Sequence, residues 1–238
     1  MFTTAQLADR WFDKREIQNL AGKYVTSLLL MRDRTIFDDF WAGSGDVCLS
    51  FNDGSYVGEE AVRGYYAASA EITAKKSAFI RDLFPEKLGD LFDEEIFGVG
   101  QLRAMPITTP VIEIAEDGKT AKGIWHVQGS ENGVTPYGPL SYWTLGFICI
   151  DFVKEGDDWK LWHVLHAVDI HNPMGENWVE PKQHEFMQGF ESLAELKLPA
   201  YSVERTNFAG YSADRPFTAP PRLPEPYGTF GETFSYGV

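Results

Sequence analysis

The chain has 238 residues, 44% hydrophobic and 14% aromatic, enough to bury a sizeable core in one domain with extensions. Its 35 acidic residues outnumber 21 Lys and Arg, giving a net charge of −14 with no basic run, which argues against nucleic acid as a partner. No apolar run approaches the roughly 20 residues that span a bilayer, and "MFTTAQLADRWFDKREIQ" lacks a basic stretch followed by an apolar one, so a soluble cytoplasmic protein is expected.

Ile17, Leu20, Ala21, Tyr24, Val25, Leu28 and Met31 recur at helical spacing, and "DKRE" offers Asp13 as an N-cap with Glu16 three residues on. This predicts a first helix buried along one face. "TIFDDFWA" continues as a shorter helix, "DVCLSF" alternates as a strand, "NDGSY" reads as a turn, and "GEEAVRGYYAASAEITAKK" returns to a helical pattern. Residues 75–100 carry no clear pattern. Cys48 and Cys149 each sit in an apolar run, the setting of buried thiols in a reducing compartment.

From Leu102 the texture changes. "LRAMPITTPVIEIAEDGKTAKGIWHVQG" is two β-rich runs joined at an Asp-Gly turn, and "LSYWTLGFICIDFVKEGDDWKLWHVLHAV" repeats the design through "KEGDD". The expected core is a helical N-terminal half on a four-stranded antiparallel meander, an α+β arrangement spanning residues 1–173. Residues 174–238 end in "RPFTAPPRLPEPYGTFGETFSYGV", too rich in proline for a helix and too aromatic for a solvated linker. This extension is expected to wrap over the domain or a neighbouring subunit. No dinucleotide- or phosphate-binding glycine pattern occurs.

"DDWKLWHVLHAVDIHNP" packs His163, His166 and His171 into nine residues, three of the chain's five histidines. A zinc site needs three or four ligands converging on one point. His163 and His166 are an odd number of residues apart, which a strand sends to opposite faces, so no metal is expected.

Several phrases carry a family resemblance: "REIQNLAGKYVTSLLLMRDRTIFDDFWAGSGDVCLSF", "GSYVGEEAVRGYY", "TPVIEIAEDGKTAKGIW" and "DFVKEGDDWKLWH". Over roughly residues 10–170 the chain resembles the SnoaL-like branch of the nuclear transport factor 2-like superfamily. The resemblance implies a cone-shaped curved antiparallel sheet, an α+β barrel, enclosed with the N-terminal helices around one deep apolar pocket, in a homo-oligomer, dimer or trimer. It also implies cofactor-free acid/base enzymes such as isomerases, dehydratases, polyketide cyclases and lyases of lignin-type aromatics.

The resemblance also suggests which side chains face the cone. On the last strand the isomerase-like phase turns His163 inward and His166 outward, and on the preceding hairpin strand it turns Lys122, His126 and Gln128 inward. Tyr24 falls at the position that resembles the family's oxyanion-hole tyrosine, and the family's usual bases are missing. Phe51, beside Asn52 and Asp53, stands near the isomerase aspartate, Leu29 at a dehydratase aspartate and Met105 near a dehydratase histidine. His163 and His126 are therefore the expected proton movers, with Tyr24 and Arg103 holding the oxyanion and Lys122 as a further catalytic candidate, a pocket ammonium. Trp41, Tyr65 and Phe147 are expected to shape the pocket, and Asp169 to orient a histidine. Each has an ordinary rival reading: a hydrogen-bonded core histidine, a core tyrosine, a surface ion pair. The expected function is a cofactor-independent lyase, dehydratase or isomerase of a hydrophobic oxygenated ring compound (steroid, polyketide or lignin-type phenolic). The alternative is a non-catalytic small-molecule-binding or assembly protein.

Overall fold

The computed structural model describes residues 3–135, 138–178, 197–204, 210–214 and 221–238. Helix α1 (Thr4–Leu29) starts well before the expected cap. Thr3 caps it: its hydroxyl accepts from the Gln6 amide while the Gln6 side chain accepts from the Thr3 amide. Asp13 lies inside the helix, where its carboxylate accepts from Lys154 Nζ at 2.7 Å and Trp159 Nε1 at 2.9 Å, pinning α1 to the sheet. The first turns carry no periodic apolar signal because Leu7, Trp11 and Phe12 stay exposed.

Two further helices complete the cover, α2 (Asp33–Phe40) and α3 (Glu59–Leu83), and the stretch without a sequence pattern holds the end of α3 and two short helices, α4 (Pro85–Leu88) and α5 (Asp93–Ile96). The strands are β1 (Cys48–Ser50), β2 (Gly54–Val57), β3 (Gln101–Ala104), β4 (Ile107–Ile114), β5 (Thr120–Thr135), β6 (Gly138–Glu155), β7 (Asp158–Pro173) and β8 (Val203–Glu204). They form one sheet in the order β3-β5-β6-β7-β1-β2-β8, with β4 also pairing β5. The expected meander is β4 to β7, antiparallel throughout; β1 pairs with β7 in parallel, and an isolated Trp41–Leu161 bridge beside it is parallel too. The fold is therefore α+β, a curved sheet with helices on one face.

The core lies between that face and the helices. Ile17, Tyr24, Ile36, Leu49, Trp125 and Ile150 are among its fully enclosed members, each contributing about 1.5–3 kcal/mol by leaving water. Trp125 folds its ring over Gly123, where a Cβ would stand 2.3 Å from the indole.

Two irregularities in the β6–β7 ladder decide what each face carries. Phe152 pairs with Leu161 but Asp151 pairs with His163, so Trp162 is an extra residue on β7. Leu145 pairs with Ile170 but Gly146 with Val168, so Asp169 is another. At this second bulge a Cβ on Gly146 would sit 2.1 Å from the Ala167 carbonyl oxygen, which leaves room for glycine alone.

Candidate active site

The inner face holds a cavity of about 440 Å³, within the range of small-molecule sites. Helix α1 sends in Tyr24 and α3 sends in Tyr65 and Tyr66. β7 contributes His166, β3 contributes Arg103, and Tyr201, just before β8, closes one side. The Tyr24 hydroxyl stands 2.9 Å from His166 Nε2 and 3.3 Å from the Tyr66 hydroxyl, forming a buried phenol–phenol–imidazole chain. Phe51 stacks on the His166 ring with centroids 5.3 Å apart.

Burial, reinforced by the Arg103 charge, pulls the His166 pKa down to about 4, so the imidazole is neutral around pH 7. Burial also pushes the Tyr24, Tyr65 and Tyr66 phenols well above their ordinary value and keeps them protonated. Arg103 donates to both oxygens of Asp33, at 3.2 and 2.5 Å, and Ser69 donates to the same carboxylate at 3.0 Å. Asp33 is 1% exposed and opens α2, so the cation on the cavity wall is fixed from behind.

The outer face carries a different set. Lys122, Asp151 and His163 lie side by side across β5, β6 and β7 in direct register. Lys122 Nζ donates to Asp151 Oδ1 at 2.7 Å, and His163 Nδ1 lies 2.9 Å from Oδ2. The C-terminal segment closes over them. Ser235 Oγ and the Tyr236 amide both donate to Asp151 Oδ2, at 3.2 and 2.8 Å, and the Lys122 ammonium faces the rings of Phe230, Phe234 and Tyr236 at 4.5–5.2 Å.

No family model and no curated protein matches the sequence. Solved structures do share its shape. The Kfla4162 protein of Kribbella flavida superposes with a TM-score of 0.50 at 17% identity, covering 68% of this chain and 95% of that one. The hexachlorocyclohexane dehydrochlorinase LinA-type3 of Novosphingobium barchaimii gives 0.47 at 15% identity, covering 73% and 99%. An ntf2-like protein with a cystatin-like fold from Novosphingobium aromaticivorans gives 0.41 at 12%, covering 74% and 94%. The chain shares the fold of the Kfla4162 protein.

Within this fold the histidines are exchanged relative to expectation. His163, expected in the cavity, is on the outer face; His166, expected outside, is on the cavity wall. The Trp162 bulge is the cause, because one extra residue reverses the alternation. Leu161 before it and Val164 after it both face the core. On β5 the alternation is unbroken but opposite in phase: Ala121, Trp125 and Val127 take the core, while Lys122, His126 and Gln128 face outward. The large indole belongs inside, and the ammonium finds its carboxylate outside.

The other expected residues divide. Tyr24, Arg103 and Tyr65 line the cavity. Phe147 packs on the outer face against His126, centroids 4.7 Å apart, and His126 and Gln128 are exposed. Asp169 is the second bulge residue, its carboxyl pKa raised by burial against the opposing charge of His126. Trp41 sits in the core behind Tyr66, stacked on Phe37. Phe51, Asn52, Asp53 and Met105 do line the cavity, whereas Leu29 is 38% exposed. Sequence reasoning missed Tyr66 and Asp33. Tyr66 shares a helical stripe with Val62, Ala70, Thr73, Ser77 and Ile80, a signal open to reading; Asp33 gave none beyond its place at a helix start.

Among the described residues no three His, Cys, Asp or Glu side chains converge on a metal-sized point, and no helix is long and apolar enough to cross a membrane.

Proposed function

We propose that the protein is a cofactor-independent lyase, dehydratase or isomerase that acts by proton transfer on a hydrophobic oxygenated ring compound, with His166 rather than His163 as the base. The observation that carries this reading is the 2.9 Å contact between Tyr24 and a neutral His166 inside an aromatic cavity beside a half-buried arginine. A neutral imidazole takes a proton on one ring nitrogen while the other holds the Tyr24 hydroxyl, and Tyr24 leans on Tyr66. Oxygen charge developing on the substrate meets phenol donors and the Arg103 guanidinium, and one such donor lowers a barrier by about 3 kcal/mol. The rings of Phe51 and Tyr65, 5.3 Å apart, supply flat apolar walls suited to a ring substrate.

The test is proton exchange and elimination in deuterated water, followed by NMR across a panel of cyclic ketones, hydroxysteroids and phenolic alcohols. On the active compound, Tyr24→Phe and His166→Gln are each expected to lower turnover about 100- to 1,000-fold, and His163→Gln to leave it within about threefold of the parent. Unchanged turnover in both inner variants would sink the assignment. A cytoplasmic homo-oligomer, dimer or trimer, belongs to the same proposal, its subunit number checked by sedimentation; the 174–238 extension, expected to wrap the domain or a neighbouring subunit, lies partly outside the described residues.

A further inference from the structure

A second cavity of about 290 Å³ lies between α3, β3 and β5. It shares Arg103 and Glu131 with the first cavity. Those two residues oppose each other in the β3–β5 ladder, so a single cross-strand pair forms the partition. Both side chains are anchored: Arg103 by Asp33, Glu131 by the Thr144 hydroxyl at 3.4 Å and His171 at 3.9 Å. The chemistry on the two sides differs. The first cavity is walled by rings and carries the Tyr24–His166 pair. The second mixes apolar Ile72, Val134 and Leu198 with the Lys76 ammonium and the Gln101 and Asn132 amides.

We infer that the two cavities are halves of one binding site for an elongated two-part molecule, with an oxygenated ring beside His166 and a second, hydroxyl-bearing ring beyond the Arg103–Glu131 partition. The inference rests on the proposed function for which ring reacts. The first cavity carries the Tyr24–His166 pair; the second has no histidine or tyrosine among its lining residues and supplies apolar walls together with the Lys76 ammonium and amide donors and acceptors. That is the composition of a specificity chamber, where added apolar contact raises affinity and the amides pair a distal hydroxyl.

The experiment compares para-ethylphenol with its two-ring homologue, the bisphenol joined by an ethylene bridge, by calorimetric titration of the full chain. The bisphenol is expected to bind at least about tenfold more tightly, the gain that roughly 1.4 kcal/mol of extra contact gives. Ile72→Trp fills the second chamber from α3. Leu198→Trp fills it from a residue already 45% exposed, so one variant stays safe for folding. Both are expected to cut the bisphenol advantage below about threefold and leave para-ethylphenol affinity unchanged. A parent that binds both probes equally, or an advantage that survives both variants, overturns the two-chamber site. Binding of both probes by a protein that exchanges no substrate protons would instead overturn the acid/base reading alone.

Discussion

His166 and His163 lie three residues apart on one strand and live in opposite electrostatic worlds. Inside, His166 is kept neutral by burial and by a nearby arginine whose own charge is already answered by Asp33. Outside, His163 touches a carboxylate that also holds a lysine, a serine hydroxyl and a backbone amide. The inner set leaves an imidazole with nothing charged in hydrogen-bond contact, a reactive arrangement. The outer set consumes every charge it contains, a structural arrangement. Burial by itself does not mark a functional histidine; what marks it is whether its partners leave a proton free to move.

The largest expected effect breaks the outer set. Asp151→Ala strands Lys122, whose side chain is 0% exposed, and should cost about 3–5 kcal/mol in urea unfolding, while Lys122→Met with Asp151→Leu should restore most of it. A double variant as unstable as the single one would contradict the reading of a satisfied ion pair.

The inner histidine gives the next effect, through pH. Unfolded His166 titrates near its ordinary 6.5 and folded His166 near 4, so between those values the unfolded chain binds more protons. The stability it contributes is complete above pH 6.5, falls as pH drops toward 4, and levels off below, a span of about 3 kcal/mol. His166→Phe should unfold with that much less loss between pH 7.5 and 4; parallel curves for the two proteins would show that the imidazole is not held neutral.

Deleting residues 235–238 removes two donors from Asp151 and uncovers the outer cluster, an expected loss of about 2 kcal/mol. Ser235→Ala alone, with Lys122, His163 and the Tyr236 amide still in place, should cost about 1 kcal/mol or less by the same assay. Catalytic rates should not respond to Ser235→Ala, and a large response would tie the outer face to the chemistry.

The elements were largely legible in the sequence and their faces were not. The stripe from Ile17 to Met31, the Asp117-Gly118 hairpin and the Trp159-Lys160-Leu161 strand each announced themselves by period or by turn chemistry. Face assignment needs the period to run unbroken, and Trp162 interrupts it without altering composition. The trace is present in hindsight, since core-facing Leu161 and Val164 stand three apart where an unbroken strand spaces its core residues by two. On β5 the inward phase for Lys122 came from the resemblance, while the groups that hold it outside lie far off in sequence, its partner Asp151 one strand away and its cover about 110 residues later in the chain. Tyr24, Arg103 and Tyr65 do line the cavity, and for Tyr24 it was the resemblance, not helical period, that set it apart from an ordinary core tyrosine.

The segment before β8 sets the order in which the molecule can be completed. Tyr201 meets the Tyr56 ring at 5.0 Å, and the Tyr56 hydroxyl donates to the Pro199 carbonyl at 2.9 Å across 143 residues of chain. Closures over such separations come late in folding. Until this one is made, β2 is an open sheet edge with unpaired backbone groups beside the rings of Phe51 and Tyr56, the kind of edge through which chains associate wrongly. The piece that finishes the cavity wall is therefore also the piece that makes the newly made chain safe from its neighbours, and a chain stopped short of Lys197 should aggregate before it misfunctions.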